Sequence, residues 1–322
     1  MTLDGRLDRI LDRRLVFVTG KGGVGRTTVA AALGLAAAGR GLRTIVAAVG
    51  GRNDLPGMLG AAPPGRDRTA GGGERELEPG LWSIGIDPQR AMEEYLRDQL
   101  PITAVADLLG SSRTFGYLAA ATPGLRELLS VGKIWELAQP ARRAAGGEPY
   151  DLVIVDAPST GYGISLLGAP RTFATLARRG PISRHAAAIH ATLADPAMTG
   201  VVCVCTADEP AVGEVLETEG RLRSELGIEL AGVIVNAIHP RRFAIRDRAS
   251  LRGVLGPDLS RGTSRAVELA LAGDDRVRSE RTQLGRLAAG VVDRPVELPL
   301  IRTEELGRTG LGELAELLES AG

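Results

Sequence analysis

The chain has 322 residues, a formal net charge of zero and a hydrophobic content of 44%. This length suits one large domain spanning residues 1–322, and a zero net charge provides no long-range attraction to nucleic acids or to anionic membranes. No apolar run reaches the ~20 residues that cross a bilayer, and no signal-peptide pattern opens the chain. We therefore expect a soluble cytoplasmic protein with no nucleic-acid partner and no stable membrane insertion.

Short apolar runs alternate with helical patterns along the chain, which indicates an α/β fold with a mainly parallel central sheet flanked by helices. The stretch before Arg14 places four aliphatic side chains at helical spacing and predicts a short docked helix. Residues 61–80 are rich in glycine and proline and predict a mobile surface loop. The predicted strands are 15–20, 43–49, 81–86, 151–156, 200–206, 231–236 and 295–300.

Two long segments between predicted strands carry only helical patterns. Asp87 and Pro88 form a helix-start signal, with Asp as the N-cap and Pro in the first turn. The helical pattern from 88 to 147 is far longer than a crossover helix requires, so we predict an inserted helical subdomain over 88–147. Its apolar surface suits a hydrophobic partner. A second helical excursion is predicted at 240–290, before the last strand.

A glycine-rich motif directly follows the first predicted strand. It reads Gly20-Lys21-Gly22-Gly23-Val24-Gly25-Arg26-Thr27-Thr28 and precedes an alanine- and leucine-rich helix. Glycines let backbone N–H groups surround phosphate oxygens, and the N-terminus of the next helix faces the anion. The motif fits the phosphate-binding loop G-x-x-x-x-G-K-[ST], except that Arg26 occupies the lysine position. We predict that this loop binds a nucleotide.

Lys21 occupies the second position of the loop. Lysine at this position is typical of the deviant Walker A branch of P-loop proteins, in which it reaches the nucleotide across a dimer interface. The chain has 39 basic residues, yet only Lys21 and Lys133 are lysine. A lysine retained in the loop of such an arginine-rich chain favours a catalytic role for Lys21.

Polar residues at strand ends supply the remaining candidates, because ligands of open α/β sheets bind at the carboxyl ends of the strands. Thr27 is predicted to bind Mg²⁺ through its hydroxyl group, and Thr28 to reach an α-phosphate oxygen. Asp156 ends the apolar run 152–155, where a carboxylate serves the metal or positions water. Thr160 and Gly161 follow as a candidate sensor of the γ-phosphate.

Together these segments resemble the family of arsenical-pump ATPases (ArsA) and tail-anchored-protein-targeting ATPases. The resemblance implies ATP and Mg²⁺ as cofactors and a homodimer, or a heterodimer with a paralogous ATPase, whose helical subdomains form a groove for a hydrophobic helix. It also implies that Asn236 reads the adenine edge and that Pro299 contacts the nucleotide; a purely structural amide at Asn236 is the competing interpretation. The matching segments are Gly20–Thr28, 86–88, 93–96, 123–127, 156–161, 217–219, 233–236, 298–300 and 304–305.

The chain departs from the family pattern at catalytic positions. Gly50 stands where the family has an Asp that positions the attacking water, and Asp54 comes four residues later. Tyr162 replaces the His that closes the second switch motif, and Arg26 replaces lysine with a bulkier, planar cation. Both cysteines lie in the strand pattern 201–205, with no Cys-x-x-Cys motif and no third cysteine, so arsenite and zinc roles are unsupported and buried packing is expected.

Three functions remain open at this stage. The first is an ATP-binding switch with weak hydrolysis, in which Lys21, Arg26 and Asp156 form the catalytic set and a partner supplies the missing Asp. The second is a fully active ATPase in which Asp54 or Tyr162 compensates. The third is a partition or division regulator that binds DNA or membrane; it requires a basic patch or a basic C-terminal helix, whereas residues 304–320 are acidic.

Overall fold

The computed structural model describes residues 5–50, 53–61, 73–99, 112–141, 148–176, 181–255, 259–303 and 305–320. Eight strands form one sheet in the order β3-β4-β2-β5-β1-β6-β7-β8. Neighbouring strands are parallel except for the antiparallel pair β3 and β4. The strands are β1 (Leu15–Gly20), β2 (Thr44–Val49), β3 (Arg75–Glu78), β4 (Leu81–Ile86), β5 (Leu152–Asp156), β6 (Thr199–Thr206), β7 (Leu230–Ile238) and β8 (Val296–Pro299).

Helices connect the parallel strands. Those before β5 are α1 (Arg6–Leu11), α2 (Arg26–Gly39), α3 (Leu55–Met58), α4 (Pro88–Gln99), α5 (Ser112–Ala121) and α6 (Leu125–Leu137). Those after β5 are α7 (Thr160–Leu176), α8 (Pro181–Ala194), α9 (Glu209–Arg221), α10 (Ile245–Val254), α11 (Arg261–Gly290) and α12 (Arg308–Ser320), with a π-helical turn at Leu222–Leu226 after α9. The predicted α/β architecture is confirmed.

The core has two layers because alternate side chains of each strand point to opposite faces of the sheet. Val16 and Val18 of β1 lie in a cluster with α1, α2, α9 and α12 on one face. Leu15 and Phe17 lie in a second cluster with α6, α7 and α8 on the other face. Strands buried on both faces need apolar side chains throughout, which explains why continuous apolar runs predicted them.

The predicted loop at 61–80 is wrong at its end, because Arg75–Glu78 forms the edge strand β3. This strand pairs antiparallel with β4 and is only half-buried, so its charged residues show no apolar run. Residues 62–72 of the predicted loop lie outside the described residues. A one-sided edge strand of this kind gives a weak sequence signal.

Helices α4, α5 and α6 occupy the segment between β4 and β5. Asp87 caps α4 by accepting a hydrogen bond from the Arg90 N–H at 2.9 Å, as the sequence predicts. Lys133 of α6 lies 2.8 Å from the carboxylate of Glu94 and thereby ties α6 to α4. Buried apolar side chains of α6 also pack against the sheet. Whether 88–147 is a separate subdomain therefore stays a prediction, as does the excursion at 240–290.

The long helix α11 extends from the sheet toward α10. Arg248 of α10 binds the carboxylate of Asp274 at 2.7 Å and that of Asp275, which joins the two helices. Leu284 and Leu287 near the end of α11 are buried in the core cluster of α2 and α9. Within the described part of the chain, no helix is both long enough and apolar enough to cross a membrane.

Candidate functional site

The loop between β1 and α2 has the backbone that its glycines predict. Gly20 has φ 155°, and a Cβ there would lie 2.0 Å from the carbonyl oxygen of Val204 on β6. Gly25 caps α2 in the left-handed conformation at φ 91°, and a Cβ there would lie 2.2 Å from Asn236 Nδ2. Gly22 and Gly23 face open space instead. The loop is therefore packed at its base and open at its tip, the arrangement that an incoming phosphate requires.

Thr27 and Asp156 meet at the carboxyl edge of the sheet. Asp156 pairs with Val18 in register, next to the start of the loop. The Thr27 hydroxyl donates to Asp156 Oδ2 at 2.7 Å. Hydroxyl and carboxylate oxygens are the hard ligands that Mg²⁺ prefers, so this pair fits the metal that the sequence assigns to it.

The electrostatics of Asp156 fit the same role. Burial raises the pKa of its carboxyl group, while the Thr27 hydrogen bond and the Arg26 charge oppose that shift. A carboxylate whose charge is penalised by burial is stabilised further by a bound cation. The negative charge of Asp54 raises the pKa of Asp156 further, so Asp54 acts on the same group.

The side chain of Arg26 is directed toward the segment that follows β5. Its Nη1 donates to the carbonyl oxygen of Ala157, the residue after β5, at 2.5 Å. The shorter lysine expected here presents a single ammonium group, whereas the guanidinium fork presents several donors and can hold a backbone oxygen and a phosphate together. Arg26 is thus placed between the loop and the segment after β5.

The segment after β5 is fastened to its surroundings at successive residues. Besides the bonds of Thr27 and Arg26, Thr19 Oγ1 donates to the Pro158 carbonyl at 3.1 Å. The Thr160 hydroxyl donates to the carboxylate of Glu214 on α9. The sequence did not indicate Thr19 or Glu214, since a strand threonine and a helix glutamate are common and belong to no motif. Their roles follow only from the tertiary arrangement.

Asn236 lies at the end of β7, directly beside the loop. Its Nδ2 donates to the carbonyl oxygen of Val24 at 2.9 Å, so the side chain supports the loop in this structure. The next residue, Ala237, has φ 60°, a strained backbone for a residue with a side chain. Pro299 pairs with Ile238 on the neighbouring strand β8. The adenine roles of Asn236 and Pro299 stay predictions, while the structural role of the amide is observed.

The structure also places the residues that depart from the family pattern. Gly50 has φ 77°, and a Cβ there would lie 3.0 Å from Pro158 Cγ. Asp54 occupies the N-cap position of the short helix α3, without a capping hydrogen bond from its side chain. Tyr162 is partly buried against the apolar cluster of α6 and α7, and burial with the nearby Glu127 charge raises the pKa of its hydroxyl group.

Lys21 is half-buried at the start of the loop, next to the open glycines. It makes no ion pair with any side chain in the described part of the chain. The other lysine, Lys133, is held by the carboxylates of Glu94 and Glu136. The two lysines thus have different surroundings: Lys133 is bonded to two carboxylates, and Lys21 has no such ion pair among the described residues.

The two cysteines are buried in β6. Burial raises the pKa of Cys205 to about 12, and the pKa of Cys203 lies higher still for the same reason. Such thiols stay protonated and unreactive in the folded chain. Across the ranges that the structure describes, no group of three or more His, Cys, Asp or Glu side chains is placed to hold a metal ion.

The predicted client groove lies partly outside the described residues. The apolar positions predicted to line it are Leu108, Leu118, Leu125 and Trp135. Leu108 and the side chain of Leu118 are not described, and Leu125 is half-buried. Trp135 is already engaged, because its Nε1 donates to Thr192 Oγ1 at 2.9 Å. The groove stays a prediction.

The fold and this site define a P-loop nucleotide-binding protein: a parallel sheet, a glycine loop leading into a helix, and a strand-end aspartate bonded to the loop threonine. Residues 13–180, more than half of the chain, match the Anion-transporting ATPase family. The chain therefore belongs to the ArsA ATPase family, as its motifs indicate.

Relatives support this assignment over different lengths. ATPase BagA of Mycobacterium tuberculosis is 28% identical over 321 residues, which cover 97% of this chain and 86% of BagA. An uncharacterized protein of Streptomyces coelicolor is 35% identical over 52% of this chain and 39% of its own length. The arsenical pump-driving ATPase of Acidiphilium multivorum is 25% identical over 72% of this chain and 40% of its own length.

Proposed function

We propose that this chain is a cytoplasmic, nucleotide-operated switch that binds Mg·ATP, closes with a second copy or a paralogous ATPase, and then binds a hydrophobic helix. Its hydrolysis of ATP is slow. The observation that carries the proposal is the contrast within the site: the Thr27–Asp156 pair is assembled beside the phosphate loop, whereas Gly50, at the position where the resemblance implies a water-positioning Asp, has no side chain.

In this proposal each residue has a defined task. The backbone N–H groups from Gly22 to Thr28 receive the phosphates at the N-terminus of α2. Thr27 and Asp156 hold the Mg²⁺ ion, which supplies positive charge to the phosphate oxygens when bound. Arg26 links the phosphates to the segment after β5, since it already bonds to Ala157.

Slow hydrolysis follows from the same arrangement. In phosphoryl transfer the protein contributes mainly positioning and electrostatic stabilisation, so losing the group that orients the attacking water lowers the rate. Gly50 has no side chain for this purpose. The nucleotide would then serve as a binding signal, and a paralogue with the missing carboxylate would restore turnover in a mixed pair.

Lys21 supports the pairing part of the proposal. Lys21 directly precedes the open glycines of the loop, where Arg26 and backbone amides would serve the chain's own phosphates. When two loops face each other, each Lys21 reaches the phosphates of the other chain. The paired helical segments 88–147 then form one apolar surface, on which a client helix is held by apolar side chains at helical spacing.

Calorimetry with Mg·ATP tests the central claim. The wild type is expected to bind, Thr27→Ala to lose most of its affinity, and Thr27→Ser to retain it because serine keeps the hydroxyl ligand. Without Mg²⁺ the three proteins should differ much less. Absence of binding to the wild type at millimolar Mg·ATP would refute the proposed function.

A fully active ATPase is the second candidate, and the influence of Asp54 on Asp156 favours it. In that case Asp54 takes over the task of the missing carboxylate. The purified chain alone would then hydrolyse ATP rapidly, and Asp54→Asn would lower the turnover without lowering Mg·ATP affinity to the same extent. If the wild type hydrolyses ATP slowly and Asp54→Asn has the same turnover, the result supports the switch.

A further inference from the structure

Thr160 hydrogen-bonds the segment after β5 to helix α9. It is the first residue of α7 and is 3% exposed. Its hydroxyl group donates to Glu214 Oε1 on α9. Glu214 itself is half-buried, so its carboxylate reaches both Thr160 and the solvent.

The position of Thr160 ties it to the phosphate loop. It follows Asp156 by four residues, and the intervening Pro158 carbonyl accepts a hydrogen bond from Thr19 at 3.1 Å. Thr19 directly precedes Gly20, the first residue of the loop. The start of α7 is also close to β1, because a Cβ on Gly163 would lie 2.9 Å from Thr19 Oγ1. The phosphate loop and the Thr160 hydroxyl group therefore lie in one packed region, so a ligand bound at the loop can also affect Thr160.

The chemistry of the bond makes it exclusive. A threonine hydroxyl has one proton to donate, and an ionised carboxylate accepts it strongly. The γ-phosphate of ATP is ionised at neutral pH and offers only hydrogen-bond acceptors. Thr160 therefore cannot donate to the γ-phosphate while its hydroxyl group donates to Glu214. ADP has no γ-phosphate and leaves the Thr160–Glu214 bond unchallenged.

We propose that Glu214 is a positioning residue that lowers the preference of this chain for ATP over ADP by holding the Thr160 hydroxyl group away from the γ-phosphate. The inference rests on the proposed function, in which Thr160 senses that phosphate. Glu214 makes ATP release one hydrogen bond before the sensor engages. The half-exposed carboxylate is then hydrated by solvent, so the exchange stays reversible.

The ratio of the dissociation constants for ADP and ATP is the readout, measured by calorimetry with Mg²⁺. Because ATP no longer has to break the bond to Glu214, Glu214→Ala should tighten ATP binding about tenfold, which corresponds to about 1.4 kcal/mol, and leave ADP binding unchanged. Glu214→Gln keeps the shape but is a weaker acceptor, so it should shift the ratio less in the same direction. Glu217→Ala, an exposed change on the same helix, should leave both constants unchanged.

A double-mutant cycle assigns the effect to Thr160. Thr160→Ala should remove the ATP preference, and adding Glu214→Ala to it should have no further effect. An unchanged ratio in both Glu214→Ala and Glu214→Gln, or an equal change for the two nucleotides, overturns the inference while the proposed function stands. A wild type that binds neither nucleotide overturns both.

Discussion

Asp156 ends a buried strand, and its carboxylate accepts a hydrogen bond from Thr27. Burial raises its pKa, so in the folded chain the proton is held more tightly than in the unfolded chain. The stabilising contribution of this group is present below the unfolded pKa and is lost as pH rises through the folded pKa. At neutral pH and without metal, the ionised Asp156 therefore opposes folding.

We predict that Asp156→Asn becomes progressively more stable relative to the wild type as pH rises from about 4, the unfolded pKa of aspartate, to neutral. Urea unfolding in metal-free buffer at several pH values measures this difference. The exposed Asp12→Asn serves as the control for the loss of a surface carboxylate. Magnesium and ATP should stabilise the wild type but not Asp156→Asn; a variant that is less stable by a constant amount at every pH contradicts the prediction.

Gly50 and Arg26 set the rate of hydrolysis in the switch proposal. We predict that Arg26→Lys combined with Gly50→Asp raises turnover, because catalytic groups in phosphoryl transfer contribute about 10³-fold or more. The gain is limited by the backbone, since a side chain at φ 77° costs about 1–2 kcal/mol and Pro158 is in contact.

The control for this pair is Gly50→Ala with Arg26→Lys, which has the same strain without the carboxylate. It should unfold at the same urea concentration as the double variant and hydrolyse ATP no faster than the wild type. A wild type that already matches the Asp-containing double variant in a steady-state phosphate-release assay would show that the missing carboxylate is replaced elsewhere.

At the scale of elements, helix α2 connects the loop to the core. A glycine lies at each of its ends, but only one of the two has room for a side chain. Gly25 at the N-cap has φ 91° and no room for a Cβ, whereas nothing lies within 4 Å of a Cβ on Gly39 at the last turn. We predict that Gly25→Ala is destabilising and abolishes nucleotide binding. Gly39→Ala should stabilise the chain by about 0.5–1 kcal/mol and leave binding unchanged.

Thermal unfolding and calorimetry on the two variants check this pair. The comparison is sharp because both replacements add the same methyl group to the same helix. Equal effects of Gly25→Ala and Gly39→Ala on nucleotide affinity would mean that the loop backbone rearranges on binding, and that the close contact with Asn236 is not retained.

The central strands that the sequence predicted most clearly are buried on both faces. Strands such as β1 and β5 are continuous apolar runs, and the glycine motif between β1 and α2 follows from its fixed spacing. Edge strand β3 was not predicted, because charged residues on a half-buried edge resemble a loop. Local patterns reveal apolar strands more readily than a charged, half-buried edge strand such as β3.

The candidate site divides in the same way. Thr27 and Asp156 were predicted because each belongs to a motif at a strand end. The bond between Arg26 and Ala157 and that between Thr160 and Glu214 were not, since they join segments far apart in the chain. Such pairs depend on how α7 and α9 pack beside β1, which no local spacing records.

At the scale of the whole molecule, β1 lies between β5 and β6, so the loop sits at the middle of the sheet's carboxyl edge. A loop in this place can face an identical loop on a second copy. We predict that a non-hydrolysable ATP analogue with Mg²⁺ converts the chain into a closed dimer, and that Lys21→Ala prevents closure while leaving the affinity of the monomer largely intact.

Solution scattering with and without the analogue measures the change in mass and radius. Lys21→Arg keeps the charge and separates the need for a cation from the need for a lysine. A wild type that stays monomeric in both conditions, alone and with a paralogue, leaves the pairing of Lys21 without support.

The buried thiols of β6 provide a built-in measure of how often the centre of the sheet opens. Cys203 and Cys205 lie on the strand next to β1, and each is shielded from thiol reagents while the sheet is closed. Their rate of labelling by a small aromatic disulfide therefore counts openings of the sheet's centre, without any introduced probe. Nucleotide bound at the neighbouring loop should lower the labelling rate as the occupancy of the site rises. Labelling rates measured at several nucleotide concentrations therefore also report binding.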